Sequence, residues 1–333
     1  MRRLLALLLL TGMVGLTAAC GDDSDGAQPV AAATADDDAA FPVTIEHAYG
    51  STTIEQEPER IVTVGFTDAD MLLALGVVPV GLQRWYGEHE HGVWPWAEEL
   101  LGDAEPVVLE GESLNFEAIA ELEPDLILGL YAGLEPDEYD TLAAIAPTVA
   151  QSGEHLEFGT PWQEMTRTAG LAVGKADDAD ALVDEVSELF AAVRAEHPEF
   201  QGIELAYAGV YGEGQYYVET EGSTRVQILL DLGFVVPDEL AALGDDSFYH
   251  DISAEMLALL DQEVVLWEPA DISQLPAVEA NPLYQNLAVA REDREVFLDD
   301  PLIAAAMAHS SVLSLPVVLE ALVPALADAV RRR

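Results

Sequence analysis

Over 333 residues, 62 Asp and Glu stand against 13 Lys and Arg, a formal net charge of −49, and Lys175 is the sole lysine. Nucleic acid and anionic lipid headgroups both demand cationic surface, so the composition excludes them as direct partners. Cys20 is the single cysteine, which rules out an intramolecular disulfide and any cysteine nucleophile or Cys-based metal site in the folded part.

Arg2 and Arg3 lead into an apolar run over 4–10, and Ala18 and Ala19 stand immediately before Cys20. A basic segment, an apolar segment and small residues, in that order, form a secretory processing signal. The apolar run is short for a spanning helix, which takes about 20 residues. Residues 17–20 resemble a bacterial lipobox, with Thr17 where that motif usually has Leu. The resemblance implies a diacylated Cys20 at a new N-terminus, anchored at the extracytoplasmic face of the cell membrane. At about 0.8 kcal/mol per buried CH₂, two or three acyl chains hold a soluble domain firmly to a bilayer. Residues 21–40 are acidic and aperiodic, too polar to bury a core. They predict a disordered tether with a root-mean-square span of about 25 Å.

From residue 41 onward, short apolar runs alternate with amphipathic ones, the pattern of α/β lobes. Strands are predicted at 61–66, 77–82, 106–109, 125–130 and 148–151, with helices at 69–75, 115–122 and 136–145. Gly76 and Pro147 punctuate as helix stops. The pattern then stays helical over 161–197, split by Gly174 and ended by Pro198. A second alternating set follows, with strands at 203–211, 216–220, 263–267 and 295–298 and helices at 224–232, 254–260 and near 278–287. From Pro301 the chain reads helical to its end, with Pro316 and Pro324 as kinks or breaks. The expected organisation is a lobe at 41–160, a linking helix at 161–198 and a second lobe at 199–333, each lobe large enough for its own core.

One scheme recurs between the halves. Asn115 opens a helix, Glu117 follows two positions later, and Leu126-Ile127-Leu128 forms a strand; Ser253, Glu255 and Val264-Val265-Leu266 repeat the arrangement. Together with Leu75-Gly76-Val77-Val78-Pro79-Val80-Gly81, Glu123-Pro124-Asp125 and Leu229-Leu230-Asp231-Leu232-Gly233-Phe234, residues 41–333 resemble the substrate-binding proteins of ferric-siderophore, haem and cobalamin ABC importers. The resemblance implies two Rossmann-like α/β lobes joined by a single long helix, the helical-backbone periplasmic binding protein fold, with the ligand cleft between lobes. A helical link bends little, so closure should be modest. The implied ligand is a ferric siderophore, with haem or cobalamin as the alternative, and iron travels only as part of the ligand, not as a cofactor. The resemblance further implies a monomer that docks onto arginines of the permease dimer through one glutamate per lobe, at Glu117 and Glu255. An acid in a first helical turn also favours the helix dipole by roughly 0.3–1 kcal/mol without any partner.

Trp85, Trp94 and Trp96, three of the five tryptophans, fall with Tyr86 in the loop 84–96 after a predicted strand. Loops at strand ends carry ligands in open α/β sheets, and flat rings there suit catechol, aryl-oxazoline or porphyrin groups. A loop folded over a small core of its own is the plainer alternative. Arginine is scarce, so Arg84 beside those rings and Arg225 in a first helical turn, where a cation opposes the dipole, are candidates for an anionic ligand. The ordinary alternative for both is a salt bridge. Tyr131 follows a predicted strand, Tyr211 and Trp267 end predicted strands and Tyr249 precedes a predicted helix, so all four are cleft candidates, although interior aromatics also end strands. His89 and His91 offer two imidazoles to a free metal ion but lack a third placed ligand. No Gly-x-Ser-x-Gly elbow, phosphate-cradling glycine loop or His-Glu-x-x-His segment is present, so no enzyme is expected.

Overall fold

The computed structural model describes residues 40–333 except 112, 213, 245, 270 and 271. The processing signal, Cys20 and the tether up to residue 39 lie outside the described residues. The fold opens on a hairpin absent from the predicted elements, in which β1 (Val43–His47) and β2 (Gly50–Ile54) pair antiparallel with His47 opposite Gly50. Alternate residues face inward, Ile45 and Ile54 among them, and Thr52 Oγ1 donates to the Thr148 carbonyl at 2.6 Å.

Five short strands follow, β3 (Ile61–Thr63), β4 (Gly81–Gln83), β5 (Val107–Leu109), β6 (Leu126–Gly129) and β7 (Thr148–Ala150). Helices α1 (Asp68–Ala74), α2 (Pro95–Glu98), α3 (Phe116–Glu121) and α4 (Pro136–Ala143) interleave with them. The strands form one parallel sheet in the order β5-β4-β3-β6-β7. Strands covered on both faces read as unbroken apolar runs; Val62, Leu126, Ile127 and Leu128 are wholly buried. The chain leaves β3 toward β4 on one side and returns to pair β6 on the other. Such a reversal opens a crevice beyond the carboxyl ends of the two central strands. Asp68 ties that crevice together, its Oδ2 accepting from the Leu130 N–H at 2.8 Å and its Oδ1 from the Tyr131 N–H at 3.1 Å. Glycine is required at Gly65, where a Cβ would sit 2.3 Å from the Asp68 carboxylate oxygens.

Helices α5 (Trp162–Ala172) and α6 (Ala176–Glu196) carry the chain onward. Where one linking helix is predicted, the structure has a pair. Gly174 adopts a left-handed φ of 70°, and the Lys175 N–H turns back to the Gly170 carbonyl at 2.7 Å, which is how a glycine ends a helix. α5 packs on α1 and β1, while α6, 21 residues and about 30 Å long, makes the crossing.

The second lobe holds β8 (Leu205–Gly212), β9 (Gln215–Glu219), β10 (Tyr249–Ile252), β11 (Val264–Pro269) and β12 (Glu295–Phe297) in the order β10-β9-β8-β11-β12. β8, β11 and β12 run parallel, and β9 is antiparallel to β8 and β10. Helices α7 (Thr224–Leu232), α8 (Asp238–Ala241), α9 (Leu275–Glu279) and α10 (Ala288–Arg291), with a 3₁₀ helix at Ala254–Leu260, complete the lobe. Successive strand residues point to opposite faces. Ala208, Val218 and Trp267 therefore share one face, and Gly209, Tyr217 and Glu268 the other.

Helices α11 (Pro301–His309) and α12 (Leu315–Arg331) close the chain. Pro316 stands in the first turn of α12, just past a break, whereas Pro324 lies inside a continuous helix. α12 packs on α6 and β12. The turn between α11 and α12 reaches back to the first lobe, where Ser311 Oγ donates to Asp70 Oδ2 at 2.5 Å and Leu313 packs beside Leu73, Leu82 and Val93. The lobes are thus braced twice, by α6 and by this return segment.

Candidate functional site

The crevice of the first lobe is lined with rings. Phe66, just past β3, stacks on Trp85 with centroids 5.4 Å apart and planes at 18°. Trp85 meets Tyr86 at 4.9 Å and Tyr131 at 6.1 Å, both edge-on. Tyr131 meets Phe158 at 5.1 Å, and Phe158 meets Phe248 of the second lobe at 6.2 Å. Offset and edge-to-face pairs suit the ring quadrupole and contribute about 0.5–1.5 kcal/mol each beyond burial. A continuous run of rings therefore crosses from one lobe to the other. Phe66, Phe158 and Phe248 are absent from the predicted site, although Phe66 ends a predicted strand and Phe248 adjoins Tyr249; all three lie outside regular elements.

The loop that carries Trp85 and Tyr86 is held by its own arginine. Arg84 Nε pairs with both Glu110 carboxylate oxygens at 3.0 Å, and its Nη1 donates to the Gly87 and His89 carbonyls at 2.9 and 2.7 Å. Arg84 is a correction only in that its Nε makes the salt bridge expected as the ordinary alternative and its Nη1 shapes the loop. Trp94 stacks on Trp96 at 5.4 Å and 4°, and His89 packs on Trp94 at 4.4 Å. Trp96 Nε1 donates to Asp70 at 2.9 Å. No cluster of three or more His, Cys, Asp or Glu suited to a metal ion occurs among the described residues, so His89 and His91 do not belong to one. His309, from the return segment, lies 5.3 Å from Trp85 and 5.1 Å from Trp96. The sequence has no local signal for that contact.

The second lobe answers with charge. Arg225 Nη1 lies 3.1 Å from Glu219 Oε1 and its Nε 3.3 Å from Glu268 Oε2. Tyr207 donates to Glu268 at 2.5 Å, and Ser223 Oγ donates to Glu219. Burial pushes Glu219 up to about 7, with Arg225 pulling it down and Glu268 pushing it further up. Burial also raises the Tyr86 hydroxyl, and Glu268 adds to the rise. Tyr131 is raised by burial and drawn down by Arg225. The charges of the second lobe are thus felt at two tyrosines of the first.

Tyr211 stacks on Tyr217 at 5.4 Å and donates to Asp251. Tyr249 opens β10, ahead of the 3₁₀ helix at Ala254–Leu260, and meets Tyr217 at 5.8 Å. Trp267 is a second correction. It sits one residue before Glu268 on β11, so strand alternation turns it into the lobe's own core, where it is 0% exposed and donates from Nε1 to Tyr284 at 2.8 Å. A cavity of about 630 Å³ on that side of the lobe is lined by Val210, Tyr216, Ala277, Val278 and Asn281, without charge. Tyr217 lies flat over Gly209, where a Cβ would come within 1.8 Å of the ring. Gly209→Ala is expected to lower stability by about 1–3 kcal/mol through overpacking. An unchanged denaturation midpoint would mean that Tyr217 does not rest there.

Glu117 and Glu255 are both exposed. Glu117 is the second residue of α3, whose Asn115 cap accepts from the Ala118 N–H at 3.1 Å. Glu255 holds the matching place in the 3₁₀ helix, and hydrogen bonds from its own N–H and from Ser253 hold its carboxyl below the usual range.

A family model described as "Periplasmic binding protein" matches residues 61–302. The Fe(3+) dicitrate-binding periplasmic protein FecB of Escherichia coli is 26% identical over 269 residues, 78% of this chain and 83% of that protein. A periplasmic solute binding protein from Mycobacterium smegmatis aligns with a TM-score of 0.77 at 36% identity, covering 86% of this chain and 98% of its own. PiaA from Streptococcus pneumoniae in complex with ferrichrome aligns with a TM-score of 0.76 at 27% identity, covering 87% and 99%.

Proposed function

The chain belongs to the periplasmic binding protein family, and on that footing we propose that it captures a ferric siderophore between its lobes and delivers it to an ABC importer. It is a binding protein, not an enzyme, and works on the extracytoplasmic side of the membrane. The observation that carries the reading is the run of rings from Trp85 through Tyr131 and Phe158 to Phe248, which spans the two lobes, with Arg225 held between Glu219 and Glu268 in the second. Flat rings cover the organic shell of a chelate, and a guanidinium fixes its outward oxygens. Relatives described as binding Fe(3+) dicitrate and ferrichrome point the same way. In this reading residues 41–160 and 199–333 are the jaws, 161–198 is the strut, and acylated Cys20 keeps the carrier at the membrane. Iron enters only inside its ligand.

Titration of the full chain with ferric siderophores, haem and cobalamin tests the capture step. Tryptophan fluorescence should quench saturably with a ferric siderophore, because Trp85 lines the crevice. A Soret shift with haem and no response to any siderophore would overturn it.

Delivery uses Glu117 and Glu255 as one docking acid per lobe on arginines of the permease dimer. Complementary charge speeds the encounter of a tethered carrier with its partner. Glu117→Ala combined with Glu255→Ala is expected to abolish uptake while leaving the ligand Kd within about twofold. Undiminished uptake in cells would remove the docking assignment.

A further inference from the structure

We infer that the cleft selects its ferric complexes by charge, taking an electrically neutral chelate of the trihydroxamate kind and rejecting chelates that carry several negative charges. The inference rests on the capture reading above and adds the ligand class. Three hydroxamates bring three negative charges to Fe(3+) and cancel its charge, whereas three catecholates bring six and leave a complex of −3. The two kinds differ in aromatic surface as well as in charge, and charge is the property the cleft is inferred to read.

The charge count of the cleft favours the neutral kind. Its guanidinium, Arg225, already sits between Glu219 and Glu268, and all three are largely buried. One cation against two carboxylates leaves a formal −1, or zero when Glu219 holds its proton. The neighbouring cation that could have changed the balance, Arg84, is committed to Glu110 and to two carbonyls. Other arginines are engaged elsewhere: Arg60 with the Leu122 and Glu123 carbonyls, Arg167 with Asp180, Arg294 with the Gln262 carbonyl. A buried site offers little screening, so like charges repel there more than in water. The hydroxyls of Tyr86, Tyr131 and Tyr217 keep their protons, burial being the first cause in each. The hydroxyl of the exposed Tyr86 in particular can donate to the carbonyl-rich face of a neutral chelate without needing its charge.

The full chain should be titrated at pH 7.5 and low ionic strength with a ferric trihydroxamate, a ferric tricatecholate and ferric dicitrate. The trihydroxamate is expected to bind at least tenfold more tightly than either anionic complex, and 1 M salt should narrow the gap. Tighter or equal binding of the tricatecholate would overturn the charge rule while leaving siderophore capture intact. Binding of none of the three would overturn capture itself, and the charge rule with it. Glu268→Gln, alone and with Glu219→Gln, should improve the anionic chelates about tenfold relative to the neutral one. If all three affinities moved together, the carboxylates would not be the selecting groups.

Discussion

Arg225→Ala is expected to weaken ligand binding about fiftyfold or more and to lower the stability of the protein by about 3–5 kcal/mol. The two effects have different origins. Binding loses a charged donor, and such hydrogen bonds contribute roughly 1.5–3 kcal/mol. Stability falls because Glu219 and Glu268, now without their cation, are left as adjacent buried carboxylates. Breaking a buried ion pair from one side costs more than removing it whole. Arg225→Ala with Glu219→Gln and Glu268→Gln should therefore recover most of the stability and none of the affinity. Isothermal titration and urea denaturation on the same three proteins separate these outcomes. Recovery of binding in the triple variant would show that Arg225 serves the fold alone.

Asp68→Ala should be nearly as costly. Its carboxylate is wholly buried and accepts two backbone N–H groups, those of Leu130 and Tyr131. Each buried donor left without an acceptor costs about 1–3 kcal/mol, so a loss of roughly 2–5 kcal/mol is expected by denaturation. Tyr131 should lose its fixed place at the crevice at the same time. A loss below about 1 kcal/mol would mean that water replaces the carboxylate. Burial also pushes Asp68 up to about 7, against the backbone donors that pull it down. The folded state then keeps a proton that the unfolded chain releases at about pH 4. Its contribution to stability is present at low pH and is lost as pH rises from about 4 to 7. Asp68→Asn removes that slope, and denaturation at pH 5 and pH 7.5 compares it with the parent.

The α/β alternation could be read from the chain because strands covered on both faces leave unbroken apolar runs, such as Leu126 to Leu128. Which face a strand residue takes could not. Trp267 and Glu268 are neighbours at one strand end, and only the pairing of β11 with β8 sends the first into the core and the second to the cleft. Arg84 escaped for another reason: its partners at Gly87 and His89 are close in sequence, but they turn toward it only because Gly87 takes a φ of 84°. The hairpin β1–β2 is short, with polar residues on its open side, and its seat on Thr148 is a distant contact. Arg225 and Tyr131 could be singled out because each stands at the end of an element, a position the sequence pattern marks.

Ser311 meets Asp70 across 241 positions of chain, and Leu313 seals the same apolar wall. The apolar wall of the amino-terminal half is therefore closed by a residue synthesised long after it, so the two ends of the chain share one interior.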